Sequence, residues 1–591
     1  MMKQLLAFLV LMFSCSTLLT AQDTLDVAPG QATLETAINN DVNADGSRKN
    51  PNRVYKLESG GAYLMVSKII FEDASATLTI VSPEGGKKAL IVPSVDKDGN
   101  GPVQTIGDIT GSLKLKNLYV VGKSTAGHFI DGLFYMHTDN QRVETENCVF
   151  DMVYRTYFDY MDVSDGAVLK TVNTYFRDLD DTEQQWGARV MEIKSPADTI
   201  WMENTTISNA GIGLVMQGSV VDFFYVNHCS FINAFRYPLL VHYFEEGYIT
   251  NNLFVNGNMM GECPNIYKSG QDPDGLHHGM ITVDTLEAGH YYNPGDLISM
   301  DDVKVYVADN INYYNPLLDH YYNGEYNDVG DYPVSQLGWF VTGVVPVENT
   351  PTVWMNDRTA AFFTDYANIK EENNHNYDLD PQLVTPGIAS KEVVDHMASY
   401  MRNRYGFYEE LVLDRNWNFG DRDALTVPGI ETEDGNGIYK ISDLVEDFTP
   451  QNAAAVSNID GFKIGALHWI DSEMAQWDSE KGMKKVLQGY DGTLGVEERI
   501  NESQHGFSLG QNHPNPFSAT TSISFTVPRS SHVTLKVYDV AGREVTTLVD
   551  GVRSTGTHSI ELDASGLHRG LYFYRLKSGE FSQTRKLILA K

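Results

Sequence analysis

Four carboxylates lie close together in one predicted loop and are candidate ligands for a cation. They are Asp178, Asp180, Asp181 and Glu183. Carboxylate oxygens packed in this way are hard ligands that suit Ca²⁺, so the loop predicts a calcium site. The chain has 78 acidic and 44 basic residues and a net charge of −34. An acidic loop that is only solvated is therefore the alternative, and nucleic acid is excluded as a partner because the same charge repels it.

Two arginines are candidates for binding the carboxylates of an acidic sugar chain. Arg155 and Arg236 each stand five residues after an aromatic residue, Phe150 and Phe231 respectively, of a recurring sequence unit. A guanidinium group suits planar anions, so each arginine could hold one uronate. In the alternative interpretation both arginines cap turns or pair with nearby Asp residues.

The recurring unit predicts the elements that position these residues. Each unit consists of a strand, an Asn, two further residues and a large apolar residue. The first residues after the strands are Asn117, Asn147, Asn173, Asn204, His228, Asn251 and Asn310. They are 23 to 31 residues apart, with one last step of 59. β-Branched and aromatic residues dominate and no helical period persists, so we expect a right-handed parallel β-helix whose coils of about three strands bury their apolar faces against one another.

The recurring Asn has a physical role in this fold. It tolerates the left-handed backbone of a tight turn, and its amide can bond to the Asn of the next coil. Cys148 and Cys229 follow this turn three coils apart, which at ~4.8 Å per coil is about 14 Å. A disulfide requires less than ~7 Å, so we expect buried free thiols. Arg155 and Arg236 are expected to be separated by the same distance.

Both ends of the chain predict export. Residues 1–22 contain Lys3 and an apolar run typical of a secretory signal peptide. No later stretch has the ~18 to 20 apolar residues of a membrane-spanning helix. Residues 507–591 begin FSLGQNHPNPFSATTSISFTVP and end GLYFYRLKSGEFSQTRKLILAK, and their short apolar alternations between Gly, Asn, Asp and Ser predict a small antiparallel β-sandwich.

This tail resembles the C-terminal sorting domain of cargo for the bacterial type IX secretion system. The Asn-Pro-Asn-Pro-Phe opening, the VYDVAGREV hairpin and the Gly-Leu-Tyr ending carry the resemblance. It implies the secretion machinery as a partner, passage across the inner membrane by the signal peptide and across the outer membrane by type IX secretion. The protein is then secreted or held at the outer-membrane surface.

The region before the tail resembles secreted pectate-lyase-like β-helix proteins. Residues 31–106 would start and cap the coil, Asp380-Pro-Gln-Leu383 would end it, and residues 387–405 have the spacing of a helix. We expect an all-β chain with a β-helix domain at 23–472, including an N-terminal cap and a C-terminal helical and loop cap. A linker at 473–506 and an Ig-like sorting domain at 507–591 would follow.

The resemblance places a ligand groove along one strand of each coil. The strands concerned would be 156–161, 188–194, 212–217 and 238–243. Strand alternation would point outward the side chains of Asp159, Glu192, Lys194, Gln217 and His242. The residues predicted to bind substrate are Arg155, Asp159, Gln217 and Tyr237.

The chemistry expected in this groove is elimination on an acidic polysaccharide. A uronate lyase needs positive charge on the carboxylate and a base for the neighbouring proton. Lys194, Arg236 and His242 are the candidate catalytic residues, and the acidic loop would supply Ca²⁺. A non-catalytic adhesin or glycan-binding protein is the alternative, with the aromatics Tyr157, Tyr160, Tyr237 and Tyr243 as its platform. A glycoside hydrolase would need paired carboxylates, for which only Asp180 and Asp181 are adjacent on the groove side.

Overall fold

Each turn of the chain passes through three short parallel strands and so builds three faces. A computed structural model describes residues 23–95, 105–125, 130–160, 165–179, 189–234, 237–258, 279–284, 300–316, 352–385, 446–491 and 508–590, the later ranges with gaps of one to three residues. The predicted signal peptide, Arg236, Cys263 and the predicted helix at 387–405 lie outside these residues. Stacked parallel strands confirm the β-helix.

Face 1 precedes the recurring Asn in each coil. Its strands are β1 (Thr24–Val27), β3 (Val54–Leu57), β6 (Thr77–Val81), β9 (Ser112–Lys116), β12 (Arg142–Glu146), β15 (Ala167–Val172), β18 (Ala197–Glu203), β24 (Lys304–Ala308) and β26 (Ile369–Glu372). Two long strands, β20 (Ile212–Asn227) and β22 (Leu239–Thr250), join this face with their second halves.

Face 2 follows the recurring Asn and forms a separate sheet. Its strands are β2 (Gly30–Gln31), β4 (Ala62–Met65), β7 (Ala89–Pro93), β10 (Leu118–Val121), β13 (Val149–Asp151), β16 (Tyr175–Leu179), β19 (Thr206–Ala210), β21 (Ser230–Ala234), β23 (Leu253–Val255), β25 (Ile311–Tyr313) and β27 (His375–Asn376). The last strand ends four residues before Asp380, where the sequence predicted the end of the coil.

Face 3 completes each coil and is the face on which the groove was expected. It contains β5 (Ile69–Phe71), β8 (Thr105–Ile109), β11 (Gly132–Met136), β14 (Thr156–Tyr160), β17 (Arg189–Ile193) and the first halves of β20 and β22. All four predicted groove strands are therefore strands of neighbouring coils. Because β20 and β22 continue around the corner into face 1, faces 1 and 3 form one sheet.

The interior of the coil is a column of stacked apolar side chains. Phenylalanine rings of neighbouring coils lie nearly parallel, with 5.0 Å between the centroids of Phe150 and Phe176 and 5.0 Å between those of Phe231 and Phe254. Burying such a ring contributes about 1.5–3 kcal/mol. Cys148 and Cys229 are buried free thiols, as predicted. The core is thus continuous from coil to coil.

The recurring Asn turn is confirmed at all but one of the predicted positions. The first six of these residues, including His228, have φ between 47° and 58°. Asn310 was wrong by one residue, because Asp309 adopts the left-handed conformation with φ 52°. Asn310 instead pairs with Asn252 one residue later in the turn, with an Nδ2–Oδ1 distance of 3.0 Å. Both turns carry two adjacent polar residues, so the sequence left the register open.

A second ladder of Asn side chains was missed. It lies where face 2 passes into face 3, at Asn209, Asn233 and Asn256, all with positive φ. Asn233 donates to Asn209 over 3.1 Å and Asn256 donates to Asn233 over 2.9 Å. The coil therefore has Asn-stabilised corners at both ends of face 2.

Residues 446–477, here called the strap, return along the outside of the coil. Ile459 N–H donates to Asp309 over 2.9 Å, and Trp477 Nε1–H donates to Glu203 over 2.8 Å. Phe448 and Ile464 pack on apolar side chains of face 2. The strap therefore covers part of face 2.

Helices are few and short among the described residues. They are α1 (Thr33–Asn39), α2 (Asp357–Asp365), a 3-10 turn at Leu467–Trp469, α3 (Asp471–Met474) and α4 (Ser479–Asp491). Helix α1 lies within residues 31–106, the segment expected to start and cap the coil. Part of the expected linker at 473–506 is helical, and the chain divides into two compact units after Trp477. No helix in the described ranges is long and apolar enough to cross a membrane.

The tail unit is an antiparallel sandwich with its own core. One sheet contains β28 (Ser508–Leu509), β29 (Thr520–Val527) and β32 (Gly556–Asp563). The other contains β30 (Ser531–Asp539), β31 (Glu544–Arg553), β33 (Gly570–Ser578) and β34 (Phe581–Leu589). Alternating apolar residues of both sheets form one buried cluster, as the sequence pattern predicted.

Candidate functional site

Neighbouring strands of face 3 align four polar side chains in one column. Register pairs Asp108 of β8 with Tyr135 of β11, Tyr135 with Asp159 of β14, and Asp159 with Glu192 of β17. We call these four residues the polar column. Successive members are one strand spacing apart, about 4.8 Å.

Arg155 is paired with carboxylates of its own chain. Its Nη2 lies 2.9 Å from Asp159 Oδ2 and its Nε lies 3.2 Å from Asp131 Oδ2. The Tyr135 hydroxyl donates to Asp131 and lies 3.3 Å from Arg155. Two carboxylates therefore offset the charge of this guanidinium, which is the alternative the sequence left open.

Tyr135 is poorly suited to act as a base. Burial and the hydrogen bond to Asp131 raise its pKa, and the bond from Arg155 offsets this only in part. The phenol therefore stays protonated in neutral solution. Its position in the column suits it to hydrogen bonding.

Asp159 and Glu192 form the floor of the cluster. Their side chains are 0% and 7% exposed. Asp159 Oδ1 and Glu192 Oε2 have no hydrogen-bond partner within the described part of the chain. Burial and the neighbouring charge of Glu192 raise the pKa of Asp159, although Lys194, Arg155 and Arg189 oppose the shift. Burial and the neighbouring Glu192 carboxylate therefore both disfavour the charged form of Asp159.

Two cations flank Glu192. Arg189 forms an ion pair with its Oε1, and Lys194 Nζ lies 4.0 Å from the same oxygen. Lys194 is 36% exposed and Arg155 26% exposed. The cations therefore lie nearer the solvent than the carboxylates that they contact.

The predicted aromatic platform is wrong. Tyr157, Tyr160, Tyr237 and Tyr243 are all buried. Tyr157 packs against Phe150 in the core, and Tyr160 aligns with the core residues Met136 and Ile193. Because Asp159 faces outward, alternation turns Tyr160 inward. Tyr237 is 1% exposed, so it is not an exposed substrate contact in this structure.

The remaining candidates divide between buried and undescribed positions. His242 lies in β22 and is buried. The backbone of Gln217 lies in β20 and that of Asp178 in β16, but their side chains are outside the described part. Arg236, Asp180, Asp181 and Glu183 lie outside it altogether. The calcium loop therefore stays a prediction, and the described residues contain no group of three metal-binding side chains.

Asp131, Tyr135 and Arg189 were missed as members of the cluster. A sequence signal existed for one of them. Arg155 precedes Asp159 by four residues and Arg189 precedes Glu192 by three, so two neighbouring strands each have an Arg at or just before their start and a carboxylate near their end. Asp131 and Tyr135 had no comparable signal because their partner lies 20 to 24 residues away.

Comparison with known proteins identifies only the tail. Residues 512–590 match the family described as secretion system C-terminal sorting domain. This confirms the predicted sorting tail. The protein is therefore a candidate for export, with secretion or display at the outer-membrane surface. No curated protein and no solved structure matches the chain.

Proposed function

We propose that the exported β-helix binds a polysaccharide along face 3. The observation that supports this is the polar column, because register gives adjacent coils hydrogen-bonding side chains at regular intervals of about 4.8 Å. A chain-like ligand lying along the helix axis meets the partly exposed Asp108 and Tyr135, and then the cations that lie over Asp159 and Glu192. The sorting tail adds an external location, where polysaccharides are available.

The charges of the cluster favour recognition of sugar hydroxyl groups. Arg155, Arg189 and Lys194 are matched by Asp131, Asp159 and Glu192. A hydroxyl group both donates and accepts, so it bridges ion-paired side chains well. The charge of these cations is already balanced by carboxylates, so they attract the carboxylate of a uronate less strongly. Glycan binding is therefore better supported than the predicted elimination reaction.

Affinity electrophoresis of the purified chain in gels containing neutral or uronic-acid polysaccharides tests the binding. Lys194→Ala should weaken retardation about 5-fold, equivalent to about 1 kcal/mol. Lys114→Ala is the matched control, since Lys114 is also exposed and ion-paired but lies on face 1. Absence of retardation by every polymer overturns the proposal, and equal effects of both variants overturn its placement on face 3.

The elimination reaction is tested separately. Incubation with uronic-acid polymers, with and without EDTA, should show absorbance of the unsaturated product only if the protein is a lyase. Loss of that signal in EDTA would assign a role to Ca²⁺ and direct attention to the 178–183 loop. Activity that survives EDTA would exclude an essential calcium ion.

A further inference from the structure

Two buried acidic side chains lie next to each other on neighbouring strands of face 3. Asp159 and Glu192 are partners in the register of β14 and β17, and both face outward from the coil. Each is more than nine-tenths buried, and each retains one oxygen without a hydrogen-bond partner in the described part of the chain. Unpartnered buried carboxylate oxygens are costly, so such a pair calls for a function.

We propose that Asp159 and Glu192 hydrolyse a glycosidic bond of the polysaccharide bound on face 3. The inference rests on the proposed binding function. It assigns the two carboxylates different roles because their surroundings differ. Arg189 is ion-paired with Glu192 and Lys194 lies 4.0 Å from it, whereas Arg155, the direct ion-pair partner of Asp159, also pairs with Asp131.

The reaction follows from these roles. Asp159 donates its proton to the glycosidic oxygen while that oxygen leaves, and Glu192 Oε2 attacks the anomeric carbon to form a glycosyl ester. Water then attacks the same carbon, Asp159 accepts the proton of that water, and Glu192 leaves as carboxylate. The sum is one glycoside and one water converted into two sugars.

The strand spacing favours this two-step route. Carboxyl groups about 5–5.5 Å apart suit attack by one of them, whereas ~6.5–9.5 Å leaves room for a water between them. Side chains in register on adjacent strands start about 4.8 Å apart. The anomeric configuration should therefore be retained.

The two carboxylates lie beneath their cations. Arg155 and Lys194 are long side chains with partly exposed ends. A bound sugar reaches the oxygens below by displacing these side chains into other rotamers. Sugar hydroxyl groups then replace the hydrogen bonds that the cations give up.

The test measures release of reducing ends from any polysaccharide that retards the protein, alongside absorbance of the unsaturated product. Reducing ends without that absorbance are expected. Glu192→Gln and Asp159→Asn should each lower the rate about 10²–10⁴-fold, the range of a lost general acid or base. Glu144→Gln is the control, because Glu144 is a partly buried carboxylate paired with Lys114 and Arg142 on face 1.

Two further readouts make the result decisive. Azide should restore cleavage in Glu192→Ala and give a glycosyl azide. A variant that is inactive only because it is misfolded would not form this product. Product analysis by NMR should show retention. Retardation without cleavage by the wild-type chain overturns the hydrolysis and leaves binding intact, whereas absence of retardation removes both proposals. Full activity in Glu192→Gln also overturns the assignment.

Discussion

For Arg155, the sequence predicted the position of the residue correctly but not its role. The sequence placed it next to the groove strand, and the structure confirms that position. Its charge is shared between Asp131 and Asp159, and Asp131 is 24 residues away along the chain. Pairing across coils depends on side-chain reach and register, which a single sequence does not supply.

The buried ion pair between His228 and Asp460 makes a residue-scale prediction about stability. His228 Nε2 lies 2.8 Å from Asp460 Oδ2, with both side chains fully buried, and Nδ1 faces the Gly465 carbonyl over 3.2 Å. Asp460→Asn should lower the free energy of unfolding by about 1.5–3 kcal/mol in urea at pH 7, because the buried imidazole loses its hydrogen bond to a carboxylate. Asp378→Asn is the control, since its pair with His375 lies at the surface.

The pH dependence of this effect has a definite sign. Burial raises the pKa of Asp460, but the charge of His228 and several hydrogen bonds outweigh it and hold the pKa below its usual value. The stabilisation is therefore present above the unfolded pKa of about 3.9 and is lost as pH falls through the lower folded value. The difference between wild type and Asp460→Asn should shrink below about pH 4, and a constant difference down to pH 2 would contradict the assignment.

Cysteine reactivity provides a second residue-scale prediction. Burial raises the pKa of Cys148 to about 11 and raises that of Cys229 as well. Since the thiolate is the reactive form, neither should react with Ellman's reagent at pH 8 in the native protein. In a chain lacking Cys15 and Cys263, two thiols should appear only after unfolding. Rapid native reaction would show that the core around face 2 opens.

At the scale of elements, the Asn turns were predictable because a tight turn favours Asn locally and the coil repeats it. The strap was not predictable, because its hydrogen-bond partners are distant along the chain. Ile459 bonds to Asp309, which is 150 residues earlier, and Trp477 bonds to Glu203, which is 274 residues earlier. Nothing in the local pattern of residues 446–477 records such distant partners. The fold class therefore followed from the repeat, whereas the covering of face 2 did not.

The ladder formed by Asn252, Asn310 and Asn374 on neighbouring coils provides an element-scale prediction. Asn252 accepts from Cys229 N–H over 2.9 Å and donates to Val226 O and to Asn310 Oδ1. Asn252→Ala leaves these buried groups unsatisfied, each at about 1–3 kcal/mol, so the free energy of unfolding should fall by several kcal/mol. Asn50→Ala should cost less than about 1 kcal/mol, because its partners, the Asp23 carboxylate and the Asn52 N–H, are exposed and water replaces the amide. Similar urea midpoints for both variants would show that the ladder is not a main source of stability.

At the scale of the whole molecule, the two units have separate cores and separate tasks. The β-helix core and the tail core share no residue, and the sorting family covers only residues 512–590. Removing residues 512–590 should therefore leave the unfolding midpoint of the β-helix unchanged while abolishing delivery to the cell exterior. Thermal unfolding followed by circular dichroism and fractionation of cells expressing the two forms measure both effects. Because the truncated chain keeps face 3, it should also retain polysaccharide binding, and a truncation that loses binding while remaining folded would move the binding site into the tail.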